Sequence, residues 1–232
     1  MNILITRPLI DSEDLMAKLF SLGHKIIHIP TLRILKANIA PIDAKKYGAF
    51  VFTSSNAFRN LKLIEEDNTK TCFCVGAITE KIVRLSGYRN TISAGGTVNA
   101  LKNIILNSDQ IDKRKSIAYF CGDYISSNLD TELKDEGFQI DKIINYISEK
   151  ITDLNEENNK IINNHPPDII FIYSKRSAES FIEIAKKYSL KGLMTESRVL
   201  CISEKVLEVL KKSGWKKLEV FQPGEELEKL KV

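Results

Sequence analysis

Hydroxyls, glycines and a few cations gather at the downstream ends of this chain's apolar runs. The groups are Thr6-Arg7, Thr53-Ser54-Ser55-Asn56, Gly76-Ala77-Ile78-Thr79, Gly122-Asp123, Tyr173-Ser174-Lys175-Arg176 and Ser203-Glu204-Lys205. Each follows a run of strand-type residues and opens a stretch with helical periodicity, so each falls where a strand hands over to a helix. In an open parallel sheet that edge is where ligands bind. The unpaired N–H groups and the dipole of a helix start favour an anion there. The candidate contacts are Arg7, Thr53, Ser54, Ser55, Gly76, Thr79, Gly122, Ser174, Arg176, Ser203 and Lys205. Ser54, Ser55 and Ser203 also suit plain helix capping. The two roles are compatible, because backbone amides can hold the ligand.

Other chemistry finds few residues to carry it. No dinucleotide-type glycine fingerprint, Walker loop or nucleophile elbow occurs. The histidines are His24, His28 and His165. His24 follows a helix-ending glycine and His165 precedes two prolines, so both read as surface residues, while His28 can face either way. The acidic residues mostly stand beside Lys on helix faces, as in KDEG and EELEK, and read as solvated pairs. The four cysteines, Cys72, Cys74, Cys121 and Cys201, read as reduced thiols on buried strands. Cys72-x-Cys74 lacks the second ligand pair a zinc site needs. No metal or cofactor is expected.

The elements that position the candidates occur twice. Asn2–Thr6 is a strand, followed by a helix from about Ser12 with Leu15, Leu19 and Leu22 in register, a stop at Gly23 and the extended run His24–Leu35. Ser116–Cys121 repeats this with a helix through Leu129 and Leu133, a stop at Gly137 and the run Phe138–Lys150. Tyr47–Phe58 and Pro167–Phe181 are matching strand-to-helix turns. CVGAITEKIVRLSGY and CISEKVLEVLKKSGW both place a glycine 13 positions after the cysteine. Each then gives a short strand, a turn at Gly95-Gly96 or Pro223-Gly224, and a last helix through Leu101 or Leu227. Three matches in one order point to an internal duplication. The fold class is therefore α/β, with two similar parallel-sheet lobes and a cleft between them.

The two extended runs exceed an ordinary strand of about 5–6 residues. Strands of that length can leave one lobe for the other, and Pro30 and Pro41 suit a connector. Asp153–His165 is polar and reads as a surface segment. The totals agree with a globular chain: of 232 residues, 43% are hydrophobic and 28% charged, with a formal charge of +4. That excess suits a small anion and is too dispersed for nucleic acid. The N-terminus reads as a first strand instead of a signal peptide, and no apolar stretch approaches the roughly 18 residues of a membrane span. A cytoplasmic monomer is expected.

Taken in order, ILITRP, VFTSSNA, CVGAIT, SAGGTVNAL, FCGD, GFQIDKIINYIS, IYSKRSAESF and CISEKVLEVLKKSGW resemble the uroporphyrinogen-III synthase family over essentially the whole chain. The resemblance implies two interleaved flavodoxin-like lobes, residues 1–33 with 151–232 and residues 34–150, joined by a two-stranded connector. It implies cyclisation of hydroxymethylbilane with loss of water and inversion of ring D. It carries one catalytic role over to Tyr146 in IINYIS, a hydrogen-bond donor to the departing hydroxyl. Thr53, Ser54 and Thr79 match cleft-lining positions, and Arg7 matches a basic position after the first strand. The second copy departs from the pattern: Ser203-Glu204-Lys205-Val206 stands where many members have Gly-Pro-Thr-Thr, and YSKRSA has one residue more. There Lys205, Lys175 and Arg176 supply charge in place of hydroxyls. The rival readings are a non-catalytic two-lobe protein that binds a small anion, and a nucleotide- or phosphosugar-handling enzyme.

Overall fold

The computed structural model describes residues 1–230. In chain order the elements are β1 (Asn2–Ile5), α1 (Glu13–Ser21), β2 (Lys25–His28), β3 (Leu32–Lys36), β4 (Tyr47–Phe52), α2 (Ser55–Arg59), β5 (Thr71–Cys74), α3 (Ala77–Leu85), β6 (Thr91–Ser93), α4 (Val98–Leu106), β7 (Ser116–Gly122), α5 (Leu129–Asp135), β8 (Ile140–Lys150), α6 (Glu156–Asn164), β9 (Ile169–Ile172), α7 (Lys175–Lys187), β10 (Arg198–Cys201), α8 (Glu204–Lys212) and β11 (Leu218–Val220). They form two compact units, one from Met1–Arg33 with the chain from Glu149 onward, the other from Ile34–Ser148. The chain passes from one to the other within β3 and returns within β8.

The first unit holds a five-stranded sheet in the order β11-β10-β9-β1-β2, the second a six-stranded sheet in the order β3-β8-β7-β4-β5-β6. β1, β2, β9, β10 and β11 pair in parallel, as do β4 to β8. Five strands of each sheet share the flavodoxin arrangement 2-1-3-4-5. In the second unit the strands that fill places 1 and 2 are β7 and β8, which come last in the chain among that sheet's strands, and β3 adds an edge beside β8.

Parallel sheets bury both faces, so their strands read as unbroken apolar runs. In β4, Ala49 and Val51 join one core with Phe73, Leu101 and Leu133. Phe50 and Phe52 face the other, where both rings meet Phe120 at 5.4 Å. In β9, Ile170 and Ile172 pack with Phe181 and Leu210, while Ile169 and Phe171 pack with Leu19 and Phe221. Truncating Phe50, which is fully buried, to Ala should cost about 3–5 kcal/mol. The four glycines that close α1, α3, α5 and α8, namely Gly23, Gly87, Gly137 and Gly214, all have φ between +78° and +97°. That left-handed step lets a helix end without Cβ strain and turns the chain back to the sheet.

Three expectations need correction. The run His24–Leu35 is two strands, because Pro30 lacks an N–H and β2 stops at His28. Leu22 is exposed, since α1 has already ended at Ser21. The helix expected through Leu227 is a 3-10 turn over Glu228–Leu230. Asp153–His165 is mostly exposed, as a surface segment should be, and it carries a helix, α6, which seats Ile162 in the core. His165 is exposed, whereas His24 is half-buried. The four cysteines lie buried on β5, β7 and β10. Among the described residues no helix is long and apolar enough to cross a membrane.

Candidate active site

In a flavodoxin-type sheet the ligand edge is the switch point, where connections leave on opposite sides. In the second unit that point lies between β7 and β4, the ends of which are Gly122 and Phe52-Thr53. In the first it lies between β1 and β9, the ends of which are Thr6-Arg7 and Tyr173-Ser174.

The second unit's edge is organised by a bulge. Cys121 pairs with Ile144, but Gly122 pairs with Tyr146, so Asn145 is the extra residue. A bulge changes which face the following side chains point to. Asn145 turns fully inside and donates through Nδ2 to the Ala57 carbonyl of α2 at 2.6 Å. Tyr146 is thereby laid on Gly122. A Cβ at Gly122 would stand 2.6 Å from Tyr146 Cζ and 2.9 Å from its hydroxyl. Asp123 closes the edge, its N–H donating to the Tyr146 carbonyl and its carboxylate accepting from the Ser148 N–H.

Thr53 is half-buried, with Oγ1 3.3 Å from the Tyr119 hydroxyl. Ser54 caps α2 by accepting from the Asn56 N–H at 3.1 Å. Ser55 is the first residue of α2 and is buried, its Oγ accepting from Arg59. Gly76 caps α3 and has backbone atoms of Gly96 beside it, while Thr79 is buried within α3. Four expected contacts therefore gather around the β4 and β7 ends, and two of these, Ser55 and Gly122, are taken up by the scaffold.

In the first unit Arg7 stacks on Tyr173, its Cζ 4.6 Å from the ring centroid. Among the described residues no carboxylate pairs with Arg7, which leaves a ring-seated cation able to meet an anion. His28 Nε2 lies 2.9 Å from the Arg7 carbonyl. The Tyr173 phenol is pushed well up from its ordinary value, first by burial and then by the neighbouring Glu226 carboxylate. Ser174 caps α7 by accepting from the Ser177 N–H at 3.0 Å. Arg176 is half-buried in the first turn of α7. Ser203 stands at the start of α8 with no side-chain cap bond, and Lys205 is exposed. Below them Thr6, Thr31 and Ser177 form a buried hydroxyl cluster, with Thr31 and Ser177 oxygens 2.6 Å apart.

Sequence reasoning passed over Tyr119, Asn145, Thr31, Ser177 and Glu226. Two carried a signal: a tyrosine inside the apolar run SIAYFC needs a partner for its hydroxyl, and an asparagine inside IINYIS is out of place in a strand.

The family model described as uroporphyrinogen-III synthase HemD matches residues 13–224. A comparison with the curated proteins gives no match. Among solved structures, uroporphyrinogen-III synthetase from Helicobacter pylori aligns with a TM-score of 0.66 at 16% identity, over 99% of this chain and 97% of that one. A mutant uroporphyrinogen III synthase from the extremely thermophilic bacterium Thermus thermophilus aligns with a TM-score of 0.60 at 15% identity, over 100% and 97%. At these identities the two structures speak to the fold, and the family match speaks to the chemistry.

Proposed function

The chain belongs to the uroporphyrinogen-III synthase family, and we propose that it performs the family's cyclisation with Tyr146 as its catalytic side chain. The enzyme is a lyase of porphyrin and haem biosynthesis. The observation that carries this reading is the family match over residues 13–224.

The substrate, hydroxymethylbilane, is a linear tetrapyrrole with eight carboxylates. Loss of its hydroxyl as water leaves an azafulvene, which closes through a spiro intermediate with ring D inverted. Unassisted, the chain of pyrroles closes to isomer I. The protein's task is thus chiefly to hold one conformer, and orientation alone can supply several kcal/mol of the barrier. Arg7, Arg176 and Lys205 are proposed to meet carboxylates as cations. Thr53, Ser54, Ser174 and Ser203, with the amides of the helices they begin, are proposed as neutral donors. Support for this division is the position of Arg7, its Cζ over the Tyr173 ring without a carboxylate partner among the described residues.

Tyr146 is proposed to donate to the departing hydroxyl. A phenol O–H is a hydrogen-bond donor of the kind a departing hydroxyl can accept from. The ring's seat on Gly122 and the anchoring of Asn145 to α2 support a fixed direction for that donor. We further propose a cytoplasmic monomer; four unpaired buried thiols suit a reducing compartment.

Freshly prepared hydroxymethylbilane, incubated with the protein, oxidised and resolved by isomer, tests the assignment. Isomer III is expected. Isomer I alone, as in the control without protein, would overturn it. Tyr146→Phe should lower turnover with an unchanged melting temperature, and wild-type turnover would remove its catalytic role.

A further inference from the structure

Tyr119 lies beneath the candidate edge and has no step of its own in the proposed reaction. Its side chain comes from the middle of β7, a strand buried on both faces, and only 2% of the residue is exposed. Its hydroxyl has one hydrogen-bonding neighbour among the described residues, Thr53 Oγ1 at 3.3 Å. Thr53, by contrast, is half-buried at the open end of β4. One hydroxyl is therefore enclosed and the other reaches the surface where ligands bind.

The enclosed position decides which of the two donates. A buried O–H without an acceptor costs about 1–3 kcal/mol, and among the described residues the phenol has only Thr53 to give its hydrogen to. A phenol is also far more acidic than an aliphatic hydroxyl, which makes it the better donor and the poorer acceptor. Burial, the main cause, pushes the Tyr119 pKa far up, so the phenol keeps its proton throughout the working range. The bond therefore runs from Tyr119 O–H to Thr53 Oγ1. The Thr53 hydrogen is left to point outward, and a hydroxyl that accepts one bond donates another more strongly. The contact is longer than the usual O–H···O range of about 2.5–3.0 Å, as hydrogen bonds at such sites often are until substrate draws them in.

We propose that Tyr119 is a positioning residue that fixes Thr53 as a hydrogen-bond donor, aimed at a carboxylate oxygen of the tetrapyrrole. This rests on the cyclisation reading given above. Without Tyr119 the Thr53 hydroxyl is free to rotate and to present a lone pair, which repels a carboxylate. Tyr119 also lies within electrostatic reach of Tyr146, so the fixed donor and the proposed catalytic phenol share one end of the sheet.

The test is a double-mutant cycle on isomer III formation. Tyr119→Phe should raise KM about 2- to 10-fold with little change in kcat, because a bond to a spectator carboxylate is made in ground and transition states alike. Thr53→Val should cost as much or more. Combining the two should cost no more than Thr53→Val alone, since Tyr119 acts only through that hydroxyl. Thr53→Ser keeps the acceptor and should retain wild-type KM. If Thr53→Val does not fold, Thr53→Ala serves in its place, leaving room for a water to take the phenol's hydrogen. Losses that multiply in the double variant, or a Tyr119→Phe defect seen in kcat and melting temperature with KM unmoved, would overturn the proposal. Wild-type protein yielding only isomer I would instead remove the cyclisation reading and this proposal with it.

Discussion

Adding one methyl group at Gly122 should disable Tyr146 from beneath. Gly122 has no positive φ, so alanine fits the chain there without strain. The obstacle is the ring above it: a Cβ would lie 2.6 Å from Cζ, 2.7 Å from Cε2 and 2.9 Å from the hydroxyl oxygen. Carbon atoms rest at about 3.5–4.0 Å, so the ring must lift by roughly 1 Å. A misplacement of about 1 Å costs a catalytic group up to roughly 10²-fold, and overpacking of this kind costs about 1–3 kcal/mol of stability. Gly122→Ala should therefore fold, melt somewhat lower and form isomer III about 10- to 100-fold more slowly. Stopped assays with fresh hydroxymethylbilane, followed by isomer separation, give the rate. Gly122→Ala combined with Tyr146→Phe should be no slower than the worse single variant, because a phenol already displaced has little left to lose. A lowered melting point with wild-type kcat would show that the placement of Tyr146 does not matter to the reaction. Losses that multiply would show that Gly122 serves another purpose.

Arg7→Gln should raise KM roughly 10-fold with kcat nearly unchanged, as expected for a charged bond to a spectator carboxylate. Arg7→Lys should recover only part of this, since an ammonium lacks the planar fork of the guanidinium; full recovery would refute a role for that fork. Burial pushes the thiols of Cys74 and Cys201 up to about 12 and that of Cys121 to about 11, with Cys72 higher still. A chromogenic disulfide reagent at about pH 8 should find no reactive thiol in the folded protein and four in denaturant, and rapid native labelling would contradict the placement on buried strands. Arg198 holds the Glu219 carboxyl below its ordinary range through a two-point hydrogen bond of 2.9 and 3.1 Å across β10 and β11. A carboxyl lowered in the folded state stabilises above its unfolded pKa, about 4.3, and that stability is lost as pH falls through the lowered value. The melting-temperature gap between wild type and Arg198→Gln should accordingly be open at about pH 7 and close below about pH 4. A gap that persists at about pH 2.5 would refute the assignment.

The doubled α/β pattern was readable because its causes are local. A parallel strand covered on both faces shows as an unbroken apolar run, and IFI, VF and YFC show this without any tertiary knowledge. The glycines that end α1, α3, α5 and α8 are readable for the same reason, since each supplies a positive φ that few other residues tolerate. Where the reading failed, a local signal was outweighed by something further off. Pro30 divides a run that hydrophobicity alone joins. The segment after Pro223-Gly224 has helical spacing around Leu227, yet the chain there makes only a 3-10 turn at Glu228–Leu230. The carboxylate of Glu226 instead accepts from the Gly224 N–H at 2.8 Å, closing a turn in the place of a helix start.

The candidate site was legible by residue type and not by partner. A hydroxyl at the end of a strand can cap a helix, brace the scaffold or face a ligand, and its sequence neighbours do not say which. Ser54 and Ser174 cap, Ser55 and Thr6 are enclosed, and Thr53 is held from below by a tyrosine 66 positions away. The bulge at Asn145 is the sharper case. Side chains alternate along a strand, so an unbroken β8 would set Asn145 opposite Gly122 and turn Tyr146 to the other face. One inserted residue reverses this, burying the amide against α2 and laying the phenol on the only residue type that leaves room for it. Tyr146 could be picked out from its family resemblance, but its placement depends on Asn145 and Gly122 together. Sequence reasoning passes over Asn145 and reads Gly122 as a ligand contact and not as the seat of a ring, which is why composition and spacing left the support of the site unseen.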